Sequence, residues 1–199
     1  MQTVHGEPGR TALLASFEKN ADLLRLGKLL IENDWQLLGS AGTAKYLNEN
    51  GVVCRDVAEI VGAPILGHRV VTLSRELHAG LLSTEADAAE LEKLGVPRID
   101  LVYVTLYPLE KTIADPAATP ADVIEKTDIG GPTLLRAAAK GRRLTLSHPS
   151  HIDHVHTWFV HGKSTAEREL LVTRLVAAAE RRVADYVAAS AAYWERQIE

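Results

Sequence analysis

One stretch of the chain, residues 128–140, combines side chains that can move protons. It reads Asp-Ile-Gly-Gly-Pro-Thr-Leu-Leu-Arg-Ala-Ala-Ala-Lys. An aspartate that precedes two glycines and a helix start can present its carboxylate beside exposed backbone N–H groups. The predicted helix begins at Leu134, and Lys140 lies about two turns further on. Asp128 and Lys140 are therefore candidates for transferring protons between an amide and a carbonyl of a bound substrate.

Two other stretches have the residue types that bind an anion. Small residues at 39–44 let backbone N–H groups approach an anion, and Ser40 and Thr43 add hydroxyl donors. A tight turn without a ligand fits these residues equally well. Arg69 and Thr72, in a glycine-flanked segment, offer a guanidinium fork and a hydroxyl to a phosphate. A surface arginine is the simpler interpretation of the second stretch.

Three further features bear on chemistry. Tyr107 follows the strongest predicted strand, residues 99–106, and ligands of open α/β sheets gather at the carboxyl ends of strands. A packed tyrosine fits that position as well. Cys54 follows two valines and is predicted to be a small buried hydrophobe rather than a nucleophile. Five histidines crowd one segment, but their irregular spacing favours a solvated helix and loop over a metal site. They are His148, His151, His154, His156 and His161.

The elements that must position these residues alternate between strands and helices. Strands are predicted at 11–15, 35–38, from 52, at 99–106 and at 144–146. Helices are predicted at 21–33, 44–50 and 85–94, and after caps at Thr119, Ser150 and Ser164. The alternation predicts a single α/β domain over residues 11–199 with a mainly parallel sheet, preceded by a flexible tail at 1–10.

Composition excludes several classes of protein. Hydrophobic residues are 46% and charged residues 24% of the 199, which excludes intrinsic disorder and collagen-like repeats. A single cysteine excludes an internal disulfide. A net charge of −4 gives no reason to expect nucleic acid or a membrane surface as partner. Without a secretory signal or a long apolar run, the expected location is the cytoplasm.

Five of these motifs, in this order, make the chain similar to a known family. They are Ser-x-Gly-Thr-Ala at 40–44, Arg-Val-x-Thr-Leu at 69–73, His-Ala-Gly at 78–80, Leu-Tyr-Pro at 106–108 and the run at 128–140. Together they resemble the IMP cyclohydrolase domain of the bifunctional AICAR transformylase/IMP cyclohydrolase family. The resemblance implies a methylglyoxal-synthase-like fold of three layers, a homodimer, and no metal or organic cofactor.

The same resemblance implies roles for particular residues. The phosphate pocket would use Lys19, Ser40, Gly42, Thr43, Arg69 and Thr72. The base would contact Ile129 and Gly130, and catalysis would use Tyr107, Asp128 and Lys140. Two positions depart from the family pattern, because Val71 stands where the family has a lysine and Phe17 where it has a hydroxyl.

The activity that the resemblance implies is closure of a purine ring. The carboxamide nitrogen of formyl-AICAR attacks the formyl carbon, and water leaves. Three alternatives stay open: a purine-nucleotide-binding paralogue without catalysis, a relative that closes a pyrimidine ring in a specialised nucleoside pathway, and a lyase acting on a triose phosphate. A separate formyltransferase is an expected partner of a chain this short.

A homodimer contact is also predicted along the C-terminal helix. The residues that would form it are Leu170, Leu171, Leu175, Val183, Tyr186, Val187 and Trp194.

Overall fold

The computed structural model describes residues 10–67, 69–161 and 164–198, so the predicted tail lies almost entirely outside the described residues. The strands are β1 (Thr11–Ser16), β2 (Gln36–Gly39), β3 (Arg55–Asp56), β4 (Ile99–Thr105) and β5 (Leu144–Leu146). They form one sheet in the order β3-β2-β1-β4-β5, and every pairing is parallel. The predicted α/β class with a parallel sheet is confirmed.

Helices connect the strands, as parallel pairing requires. They are α1 (Ala21–Ile31), α2 (Ala41–Glu49), α3 (Ala58–Val61), α4 (Arg75–Leu82), α5 (Ala88–Leu94), α6 (Leu109–Ala114), α7 (Pro120–Glu125), α8 (Gly130–Lys140), α9 (His151–His161) and α10 (Thr165–Glu195). None of the helices in the described part of the chain has the length and apolar content that crossing a bilayer needs.

The sheet is covered on both faces, which makes three layers. Successive side chains of a strand point to opposite faces. Leu14 and Tyr103 accordingly pack with α1, α2 and α9 in one buried cluster. Leu13 and Val102 pack with α4 and α8 in the other. Residues of α10 enter both clusters, Val172 and Leu175 the first and Ala179, Val183 and Tyr186 the second.

The strand order places a crevice at one edge of the sheet. From β1 the chain continues to β2 and β3 on one side and later returns to β4 and β5 on the other. Ligands of open parallel sheets bind at the carboxyl ends of strands where the order reverses in this way. Here that point lies where Ser16, Gly39 and Thr105 end their strands.

Two local predictions are wrong or incomplete, and a third is confirmed. The strand expected from Val52 is only Arg55–Asp56, because the Asn48 side chain hydrogen-bonds both backbone groups of Cys54 and holds 52–54 as a loop. Helix α8 begins at Gly130 rather than Leu134, which lengthens it by one turn. The capping boxes that start α7 and α10 are present as predicted.

Some of the α10 side chains predicted to form a dimer contact are instead buried in the core of the chain. Leu175, Val183 and Tyr186 are at most 8% exposed and pack inside the chain. Leu170, Val187 and Trp194 remain exposed to solvent.

Candidate functional site

Hydroxyl groups from three elements meet at the crevice. Thr43, fully buried in the first turn of α2, accepts the Ser16 N–H at 3.1 Å and the Ser40 hydroxyl at 3.0 Å. Ser16 and Thr105, opposite each other on β1 and β4, share a hydroxyl hydrogen bond of 2.7 Å. Thr105 also accepts the Phe17 N–H at 2.9 Å. This hydroxyl cluster (Ser16, Ser40, Thr43 and Thr105) joins the ends of β1, β2 and β4.

Lys19 supplies a positive charge beside the hydroxyl cluster. Its ammonium donates to the carbonyls of Ser16 and Phe17, and partial burial lowers its pKa. A Cβ added at Gly42 would lie 3.3 Å from Lys19 Cε, so the missing side chain at 42 lets Lys19 lie over the start of α2. A helix start carries unpaired N–H groups and a partial positive charge. Lys19, Ser40, Gly42 and Thr43 therefore lie together around the start of α2. We name this group the anion cradle, and its binding of an anion stays a prediction.

Asp128 lies in the turn before α8 with its carboxylate turned back onto the helix start. The carboxylate accepts the Gly131 N–H at 2.9 Å. Burial raises the pKa of Asp128, while the N–H groups of Gly131, Tyr107 and Gly130 oppose that rise. A Cβ at Gly131 would meet Asp128 Oδ2 at 2.4 Å and Leu106 Cδ2 at 2.6 Å. Only glycine at 131 therefore leaves room for the carboxylate.

Tyr107 links the turn that carries Asp128 to the anion cradle. Its pKa is raised by burial and by the charges of Asp128 and Glu125, so the phenol stays protonated at neutral pH. Its ring lies against the Phe17 ring, with centroids 5.1 Å apart. Because Phe17 immediately precedes the Glu18-Lys19 loop, this ring contact connects the residues predicted to move protons with those predicted to bind an anion.

Of three more predicted residues, Thr72 and Ile129 adjoin the turn that carries Asp128, whereas the hydrogen bond of Arg69 lies within its own loop. Thr72 lies beside Gly130, where an added Cβ would be 2.6 Å from its hydroxyl oxygen. Ile129 is 60% exposed and precedes α8 with its side chain free to meet a ligand. Arg69 is exposed on the loop after Gly67, and its Nε donates to the Leu66 carbonyl at 3.0 Å.

Lys140 is not brought together with Asp128. It is the last residue of α8 and is exposed, whereas Asp128 precedes the first residue of that helix. At 1.5 Å per residue the helix separates the two ends by roughly 15 Å. The physical reason is that α8 runs unbroken from Gly130 to Lys140, so no loop remains in which the chain could fold back and bring the two side chains together.

Val71 does not replace the charge of the lysine that the family has there. The side chain is partly buried and packs against the core cluster that includes Leu77 and Leu134.

A cavity of about 980 Å³ lies at the other edge of the sheet. Its lining includes Arg10, Trp35, Arg98 and Leu144, which lie at the amino ends of strands. Within the described part of the chain, none of the sequence-predicted site residues lines it. Arg98 is paired with Asp100 at 3.1 Å, and the arginines of the lining are matched by acids in number. We therefore place the candidate site at the carboxyl edge.

The histidine-rich segment and Cys54 carry side chains of the types that can bind a metal or act as a nucleophile. Across the described residues, no three His, Cys, Asp or Glu side chains are grouped to hold a metal ion. His151 accepts the Ser147 N–H, and burial together with His148 and His154 lowers its pKa to about 4. Cys54 is buried as predicted, and burial raises its pKa to about 12.

Sequence reasoning missed three side chains of this site. Ser16 and Thr105 end the two central strands, and recognition of β1 and β4 as neighbours would have found them. Tyr186 contacts the turn that carries Asp128 from 58 residues away, and no local pattern indicates that contact.

Comparisons with known proteins show the family to which the chain belongs. A family model described as MGS-like domain matches residues 22–133, more than half of the chain. The bifunctional purine biosynthesis protein PurH of Rippkaea orientalis is 43% identical over 72% of this chain and 29% of its own length. PurH of Synechococcus elongatus is 40% identical over 96% of this chain and 38% of its own length.

A solved structure extends the likeness to the whole fold. The crystal structure of ForH aligns with a TM-score of 0.78 at 31% identity, covering 94% of this chain and all of that one. The chain spans less than two fifths of the length of the two PurH relatives. It is homologous to PurH over the matched region, and it belongs to the MGS-like domain family.

Proposed function

We propose that the chain binds a purine-type ribonucleotide at the carboxyl edge of its sheet and closes the ring of a formylated aminoimidazole-carboxamide ribonucleotide or a related carboxamide nucleotide. The observation that carries this proposal is the partly buried Asp128 carboxylate beside Tyr107, in one site with a lysine and hydroxyl anion cradle. The homology with PurH supports a relation to purine biosynthesis.

The anion cradle is suited to the phosphate of the nucleotide. Lys19 and the start of α2 supply positive charge, and Ser40 supplies a hydroxyl donor. In the described contacts the Lys19 ammonium is held by two carbonyls, which a phosphate would replace with a charged partner. Arg69 on its exposed loop would add a second cation once that loop meets the nucleotide.

Asp128 is suited to accept the proton that ring closure releases. As the carboxamide nitrogen attacks the formyl carbon, one N–H proton passes to the carboxylate and negative charge develops on the formyl oxygen. A raised pKa makes Asp128 a better proton acceptor than an ordinary aspartate. Tyr107, protonated at neutral pH, would donate its proton to that oxygen, which becomes the hydroxyl of a carbinolamine. The hydroxyl would then leave as water as Asp128 returns its proton to it, while the formamide N–H proton passes to the Tyr107 phenolate and the ring C=N bond forms.

The proposed mechanism does not use Lys140, because α8 separates it from Asp128. Holding both reacting groups of one substrate face to face also removes an entropic cost from the reaction.

The formyl group would arrive already attached, so a separate formyltransferase would have to supply the substrate.

A second candidate function is nucleotide binding without catalysis. Two observations favour it: the neutral Val71 packs against the core, and Lys140 lies at the far end of α8. In this case the anion cradle is retained while the groups that move protons are incomplete.

Two measurements on the purified chain separate these candidates. We expect the absorbance change of formyl-AICAR conversion to exceed the spontaneous rate, and calorimetry to show binding of IMP and of AICAR. Binding without turnover would favour the second candidate, and absence of both would exclude the two together.

A further inference from the structure

A single phenol on the C-terminal helix holds the turn that carries Asp128. The Tyr186 hydroxyl accepts the Asp128 N–H at 2.7 Å and donates to the Lys126 carbonyl at 3.1 Å. Tyr186 is only 1% exposed, so water has little access to replace either hydrogen bond. Residue 186 also lies outside the region that the MGS-like family model matches.

One turn earlier on α10, Arg182 holds the segment that carries Tyr107. Both of its terminal nitrogens contact the Glu110 carboxylate, the longer contact being 3.3 Å. Glu110 belongs to α6, which begins two residues after Tyr107. The Arg182 guanidinium also lies over the Tyr186 ring, 5.4 Å from its centroid. Adjacent turns of α10 therefore hold the two segments that the proposed chemistry requires.

We propose that Tyr186 is a positioning residue whose hydroxyl fixes the Asp128 carboxylate relative to Tyr107. This inference rests on the proposed function for the role of Asp128 in catalysis, but not for the contact itself. The backbone of 126–128 fixes the position of the Asp128 Cα, and the hydrogen bond from the Gly131 N–H fixes the position of its carboxylate. A displacement of about 1 Å at a reacting group can cost about a hundredfold in rate.

Replacing Tyr186 by phenylalanine isolates the hydroxyl from the packing of the ring. The ring still fills its place in the core and still stacks on Arg182, while the Asp128 N–H and the Lys126 carbonyl lose their partner. The matched control is Tyr193→Phe on the same helix. Tyr193 is also buried, and its ring packs against Trp194.

The first readout is the titration of the Asp128 carboxyl, followed by carbon NMR in the absence of nucleotide. The nearby titratable groups are Tyr107, Glu110, Glu125, Arg182 and Tyr186 itself. Burial is the main cause of the raised Asp128 pKa, so releasing the turn to solvent should lower the midpoint toward that of an ordinary aspartate in Y186F. The midpoint should not move in Y193F. An unchanged midpoint in Y186F would overturn the proposal, whether or not the chain has catalytic activity.

The second readout is turnover of formyl-AICAR. We expect kcat to fall about tenfold in Y186F with KM within about threefold, because positioning acts on the reacting group rather than on nucleotide binding. A loss confined to KM would contradict it. If Y186F does not fold, the hydrogen-exchange rate of the Asp128 backbone amide in the parent chain tests the proposal instead. An Asp128 amide bonded to a buried phenol should exchange at least a hundredfold more slowly than an unprotected amide, and unprotected exchange would overturn the inference.

Discussion

At the scale of single residues, the site depends on two charges held in different ways. The Asp128 carboxylate is held by backbone N–H groups of the α8 start, and the Lys19 ammonium by backbone carbonyls. Burial shifts the pKa of both groups toward the uncharged form. An anionic ligand would therefore stabilise the charged form of Lys19. A ligand group that gives up a proton would convert Asp128 to the neutral form that burial favours.

The stability of Asp128→Asn should depend on pH. Because the folded chain raises the pKa of this aspartate, its contribution to stability is present below the unfolded pKa and is lost as pH rises through the folded pKa. D128N removes that loss, so its melting temperature relative to the parent should increase from acidic to neutral pH. Asp115→Asn is the control, since Asp115 is exposed and also accepts a backbone N–H. A pH-independent difference in D128N would contradict the burial of the carboxyl.

Lys19→Met should weaken nucleotide binding. Removing one charged hydrogen bond to a phosphate typically costs about 1.5–3 kcal/mol, which is roughly a ten- to hundredfold increase in Kd for IMP. Lys45→Met is the matched control. Lys45 lies on α2, the helix whose start forms part of the anion cradle, but its side chain is exposed and pairs with Glu49. Equal affinities of K19M and K45M by calorimetry would remove Lys19 from the cradle.

At the scale of elements, the start of α8 is the part of the site that has least room for an added side chain. Gly131→Ala places a Cβ against Asp128 and Leu106, and we expect it to cost about 1–3 kcal/mol of unfolding free energy. Gly130→Ala is the matched variant and should cost less, since the one atom its Cβ would approach too closely is the Thr72 hydroxyl oxygen at 2.6 Å, which can rotate away. Chemical denaturation measures both. A G131A variant as stable as G130A would show that the turn adapts.

Sequence patterns predict the strands and helices of this fold better than the tertiary contacts between them. The strand at 99–106 and the capped starts of α7 and α10 follow from residue types that act locally. The Asn48 contact that interrupts the strand expected at Val52 and the Tyr186 contact to Asp128 are tertiary. Lys19, Gly42 and Thr43 lie together as the family resemblance implies, and their role stays a prediction. The resemblance did not indicate that α8 runs unbroken from Gly130 and holds Lys140 at its far end.

At the scale of the whole molecule, the homodimer stays a prediction. Val187 and Trp194, seven residues apart on α10, keep an exposed apolar face after Tyr186 and Val183 have joined the core. Light scattering should give twice the 21.7 kDa chain mass, and Val187→Glu should reduce it toward the monomer. A parent chain of monomer mass would contradict the prediction.

The central claim is that this domain closes a ring by means of Asp128. The most direct measurement is the rate of formyl-AICAR conversion by the parent chain, by D128N and by the exposed control D115N, with protein concentration and folding matched. We predict turnover above the spontaneous rate for the parent and D115N, and at least a hundredfold loss in D128N with IMP still bound. Turnover by D128N equal to that of the parent, or no turnover by the parent, would contradict the claim.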